Sequence, residues 1–142
     1  MRGVKKDDKD VRTPFPWGEK DALQTSWYAS SQNDKTPAAA AQEKDDGSLL
    51  TLYKRLIRLR GRYEALYAGR YSAVENKNES LLVYEMKTEK QRALVVHNLS
   101  AQPQAWTAQG DWRLAFTTYS GVSLRGGAVT IPARGSVVLI GG

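Results

Sequence analysis

Leu49, Leu52, Leu56, Leu59, Tyr63 and Leu66 follow one another at intervals of 3, 4, 3, 4 and 3 residues. That rhythm sets all six on one face of an α-helix and predicts a single helix over residues 48–66. Leu50, Tyr53 and Ile57 widen the apolar stripe, while Lys54, Arg55, Arg58 and Arg62 fill the opposite side. Ser48 stands where an N-cap belongs, and Asp45 and Asp46 just before it suit the positive end of the helix dipole. Gly61 is a weak point, costing about 1 kcal/mol relative to alanine, and Gly69 closes the helical segment.

After Gly69 the period drops from 3.6 to 2. Tyr71–Val74, Leu81–Met86, Ala93–Asn98, Arg113–Thr118, Ala128–Ile131 and Ser136–Ile140 are short runs rich in β-branched and aromatic residues. Turn-like segments separate them, among them Glu75–Ser80, Ser100–Pro103, Gly121–Gly127 and Pro132–Gly135. Short strands at this spacing predict an antiparallel sandwich or barrel. On the second run, Leu82, Tyr84 and Met86 should share one face, with Val83 and Glu85 on the other.

Residues 1–47 show neither period. A charge run from Lys5 to Asp10, three prolines (Pro14, Pro16, Pro37) and scattered polar residues predict a long loop, with one helical turn at most around Ala38–Ala41. Loops of this length inside a compact domain are functional or belong to something larger. The expected organisation is a loop segment over 1–47, a helix over 48–68 and a β-sandwich over 69–142. A lone helix with so wide a stripe also needs a partner surface, which the preceding loop does not offer.

Composition removes most familiar catalytic equipment. The 142 residues include no cysteine, so disulfides, thiolate zinc sites and cysteine nucleophiles are excluded. A single histidine, His97, excludes two-histidine metal motifs. It lies out of phase with Leu94 and Val96 and is expected to be a satisfied structural residue, not a ligand. Asp7, Asp8, Asp10, Asp45 and Asp46 lack the spacing, central glycine and terminal glutamate of a calcium loop, so no metal or cofactor is expected. The net charge of +6 is concentrated only at Lys54, Arg55, Arg58, Arg60 and Arg62. Without a nucleic-acid fold signature, that cluster reads as a solvated helix face, and no nucleic-acid partner is expected. No window approaches the ~18 apolar residues of a membrane span, so no membrane role is expected either. The first ten residues carry seven charges with no apolar run behind them; no signal peptide is expected in this chain and no compartment is assigned.

Three stretches taken together resemble the C-terminal third of the α-amylase superfamily of glycoside hydrolases. They are Met1-Arg2-Gly3, then Asp8-Lys9-Asp10-Val11-Arg12-Thr13-Pro14-Phe15-Pro16-Trp17, then Ser48-Leu49-Leu50-Thr51-Leu52-Tyr53-Lys54-Arg55-Leu56-Ile57-Arg58-Leu59-Arg60. The nearest branch is that of α-glucosidases, oligo-1,6-glucosidases and trehalose synthases. The resemblance implies a loop after the eighth barrel strand, the last barrel helix, and then the sandwich known as domain C. It implies that Arg12 and Asp8 lie at the rim of a sugar pocket, gripping hydroxyls of an α-glucan or α-glucoside. It further implies that the catalytic carboxylates precede this segment, so the chain alone is expected to be inert.

Four tryptophans remain. Trp17 could stack on a sugar, but beside two prolines it is expected chiefly to anchor its loop, as is usual for so large a ring; Trp27 offers the same alternatives. Trp106 and Trp112 could form a glucan platform, yet are expected in the sandwich core, Trp112 the more deeply. The rival to the glycosidase fragment is a free-standing carbohydrate-binding sandwich, which would need exposed coplanar aromatics on one sheet. Finally, the bare helix stripe predicts self-association.

Overall fold

The structure, a computed structural model, describes residues 15–18 and 36–142. The chain forms two compact units, Met1–Arg55 and Leu56–Gly142.

In the first unit the alanine run forms one short helix, α1 (Ala39–Gln42). A helix this short cannot satisfy its own leading N–H groups. Those of Ala39 and Ala40 donate instead to the carbonyls of Pro16 and Trp17, at 2.9 and 3.0 Å. Gln42 ties α1 to the long helix, α2 (Leu49–Arg62). Its side chain donates to the Pro37 carbonyl at 2.8 Å and accepts from the Leu50 N–H at 3.2 Å, while its carbonyl takes the Ser48 hydroxyl at 2.6 Å. Ser48 Oγ accepts from the Thr51 N–H at 3.2 Å, the N-cap read from the sequence. Lys54 and Glu43 close an ion pair at 2.8 Å.

The predicted helix stops early. Tyr63 is extended, at φ −117° and ψ 116°, and a separate short helix, α3 (Glu64–Ala68), follows it. Tyr63 is only 4% exposed. Its hydroxyl accepts from Arg113 at 3.1 Å, and the same guanidinium lies 5.2 Å from its ring. Holding that ring breaks the helix directly after Gly61 and Arg62, although the 3–4 spacing runs on unchanged. Gln91 Oε1 accepts the Ala65 N–H at 3.1 Å, satisfying one leading donor of α3. Gly69 then turns the chain into the sheet. A Cβ there would stand 2.2 Å from the Ala65 oxygen and 2.9 Å from the Lys87 nitrogen, so only glycine fits.

Eight strands follow: β1 (Arg70–Ala73), β2 (Leu81–Lys87), β3 (Arg92–Asn98), β4 (Gln104–Thr107), β5 (Arg113–Thr117), β6 (Leu124–Arg125), β7 (Ala128–Ile131) and β8 (Ser136–Gly141). They form two antiparallel sheets, ordered β1-β2-β3-β8-β5 and β4-β7-β6. This is the expected mainly β sandwich preceded by helix; β4 and β6 add to the six expected strands. Between the sheets lies the core, built on Leu81, Val83, Leu94, Val96, Val129, Ile131, Val137 and Leu139. Leu82, Tyr84 and Met86 take the opposite face of β2, as the alternation requires.

One buried amide stitches the sandwich. Asn98, 2% exposed at the end of β3, donates from Nδ2 to the carbonyls of Gln102, Ile131 and Pro132 at 2.7, 3.1 and 3.0 Å. Its Oδ1 accepts from the N–H and hydroxyl of Ser100 at 2.9 and 2.8 Å. Ile131 ends β7, so this side chain bonds one sheet to the other.

Candidate functional site

Asp8, Arg12 and Trp27 lie outside the described residues. Trp17 lies within them. Its indole is 55% exposed and tilted against the Phe15 ring, the centroids 4.6 Å apart. The main-chain carbonyls of Pro16 and Trp17 receive the first N–H groups of α1.

Trp106 and Trp112 pack against the sandwich core, as expected. They differ in polar satisfaction. Trp106 Nε1 is buried without a partner, whereas Trp112 Nε1 donates to the Gln109 carbonyl at 2.8 Å. The expected order, with Trp112 the deeper, does not extend to the indole nitrogens. Arg92 stands 4.8 Å from the Trp112 ring and pairs with Glu85, so a cation is held between a carboxylate and an indole at one end of the sheet. Alternation places Glu85 on its face but does not foretell this pairing.

His97 is structural in its contacts. Nδ1 lies 2.7 Å from Ser136 Oγ, and the ring sits 5.8 Å from that of Tyr84. Burial holds its pKa below the ordinary 6.5. Burial also pushes the Tyr84 hydroxyl up, with Tyr71, whose ring centroid lies 5.4 Å away, adding to it. Among the described residues no group of three or more His, Cys, Asp or Glu side chains could hold a metal ion. No helix among them is long and apolar enough to cross a membrane.

Residues 1–69 match the family described as the α-amylase catalytic domain, and residues 77–138 match the C-terminal domain of the α-amylase SusG. The chain belongs to the α-amylase family. Its sandwich corresponds to that family's C-terminal domain, and its helical part matches the catalytic domain. Among curated relatives, it is 33% identical over 104 residues to α-amylase 3 of Dictyoglomus thermophilum, covering 70% of this chain and 21% of that protein. It is 32% identical over 127 residues to an oligo-1,6-glucosidase of Heyndrickxia coagulans, covering 84% of this chain and 22% of that protein. The solved structure of the α-amylase from H. orenii superposes with a TM-score of 0.79 at 27% identity, covering 93% of this chain and 28% of that one. The chain thus spans about a fifth of the length of these curated relatives.

Proposed function

We propose that this chain is the C-terminal part of a longer α-glucoside-acting glycoside hydrolase of the oligo-1,6-glucosidase and trehalose synthase branch. The observation that carries the reading is the tiling. A catalytic-domain match runs to residue 69 and a C-terminal-domain match begins at residue 77, while the relatives are several times longer. On this reading residues 1–47 are a barrel loop, 48–68 the last barrel helix, and 69–142 a sandwich that stabilises the whole. Arg12 and Asp8 supply a donor and an acceptor to sugar hydroxyls, and the exposed indole of Trp17 stands five residues beyond Arg12. Retaining hydrolysis needs two carboxyls held ~5–5.5 Å apart. No such framed pair is contributed by this segment on the resemblance, so the chain alone turns over no maltose, isomaltose, trehalose or starch.

Reading the coding sequence upstream of Met1 tests this. A preceding β/α barrel with an Asn-His-Asp motif supports it; an unrelated domain or an untranslated region defeats it. Glucose release by the pure chain, abolished by changing one acidic residue, defeats the inert role. The rival binding module called for a platform of exposed coplanar aromatics, and Trp106, packed on the core with its Nε1 buried, does not offer one together with Trp112.

The same reading explains the helix. Leu49, Tyr53, Leu56 and Ile57 are exposed along α2, Ile57 by 68%. In the longer protein this strip is where the barrel continues. In the chain alone it is the surface through which two copies associate.

A further inference from the structure

Lys90, Asp111, Trp112 and Ile140 line a groove of about 400 Å³ where the β2–β3 turn meets the entry to β5 and the end of β8. Small-ligand sites span ~300–1,000 Å³. Gly141 also lines it and lies close against its neighbours. At Gly141 a Cβ would stand 3.1 Å from the Asp111 carbonyl oxygen and 3.2 Å from the Trp112 ring. Trp112 supplies the apolar wall and is fixed in advance. Its N–H is engaged by Gln109, and Arg92, held by Glu85, lies over the ring without lining the groove.

Two of the charged groups of the groove are uncommitted. Neither the Asp111 carboxylate nor the Lys90 ammonium has a side-chain hydrogen bond or ion pair among the described residues. Gln91 gives its Oε1 to Ala65, and Arg113 gives one nitrogen to Tyr63, so both keep N–H donors at the groove. An acceptor and several donors beside a rigid indole fit a neutral polyol with an apolar C–H face. A pyranose has that chemistry. Asp111 stands among Lys90 and Arg113, so the lining offers an acceptor beside donors, the pattern of a hydroxyl-bearing ligand, and a wholly apolar one would strip water from Lys90 and Asp111 without replacing its hydrogen bonds.

We propose that this groove binds a short α-linked glucose oligomer, the choice of linkage resting on the α-glucoside reading above. Trp112 and Ile140 meet the C–H face of a ring, and Asp111 and Lys90 bond its hydroxyls. Maltoheptaose titrated into the 142-residue chain, followed by tryptophan fluorescence and calorimetry, should bind saturably. Asp111→Asn and Lys90→Met, both at exposed positions, should each weaken binding about ten-fold and leave the melting temperature unchanged. Cellohexaose, with the same hydroxyls but the other linkage, should bind more weakly. No saturable binding, or binding that both substitutions leave intact, overturns the groove assignment whatever the upstream gene encodes. Equal or tighter binding of cellohexaose, lost in the same variants, overturns the linkage assignment. The α-glucoside reading stands or falls separately, on the upstream sequence.

Discussion

Asn98 concentrates more of the sandwich's polar bonding than any single apolar residue suggests. Replacing it with alanine removes the amide that the carbonyls of Gln102, Ile131 and Pro132 accept from and the oxygen that takes the Ser100 N–H; the Gln102 and Pro132 carbonyls keep only the Ser100 hydroxyl and the Gly135 N–H. The expected cost is about 2–4 kcal/mol, read as a lowered urea midpoint for Asn98→Ala. His97 gives a pH signature. Its folded pKa is depressed by burial, so the unfolded chain binds the proton more readily. The resulting stability is fully present above the ordinary 6.5 and is lost as pH falls through that value toward the folded pKa. Melting temperatures between pH 7.5 and 5 should therefore fall, and His97→Gln should flatten the slope in that window. The Glu43 carboxyl, held low by its hydrogen bond to Lys54, acts only at more acidic pH. The roles of these two side chains were unequally legible. A lone strand histidine already implies a satisfied residue. The Asn98 hub had only one local signal, a serine two positions on that invites an Asx turn; its bonds to Ile131 and Pro132 arise from sheets meeting in space.

The two glycines flanking the helix break make opposite predictions. At Gly61 a Cβ meets nothing within 4 Å, so Gly61→Ala should stabilise by about 0.5–1 kcal/mol through backbone entropy. At Gly69 the Cβ would collide with backbone on two sides, so Gly69→Ala should cost about 2–4 kcal/mol. Thermal melts of both variants decide the matter. Periodicity alone gave α2 its start, its cap and its face, because those depend on neighbours in sequence. The break at Tyr63 was half legible: Gly61 marked a weak point two residues earlier, but the Arg113 contact that holds the ring comes from 50 residues away. Strands β4 and β6 escaped for a different reason. Trp106 is the one large apolar side chain in Gln104–Thr107, and Leu124–Arg125 is too short to alternate.

For the molecule entire, the exposed strip of α2 is the feature with the largest expected effect in solution. A strip containing Leu49, Tyr53, Leu56 and Ile57 invites burial, and each large apolar side chain fully covered contributes ~1.5–3 kcal/mol. Light scattering at high micromolar concentration should report a dimer or larger assembly. Tyr53→Gln with Ile57→Gln should shift it toward monomer while the β-rich circular dichroism persists. A clean monomer before substitution would mean that the strip is covered from within the chain.

The strand order carries a last consequence, for how the molecule is made. β8 is the final strand in sequence, yet it lies between β3 and β5 and bonds to both. During synthesis, β1 to β3 can pair as soon as they emerge, but β5 must wait beside an empty lane until Ser136–Gly141 clears the ribosome. A nascent chain halted before Ser136 should therefore remain protease-sensitive and chaperone-bound. Extending it until Ser136–Gly141 is exposed should convert it to the resistant form in one step.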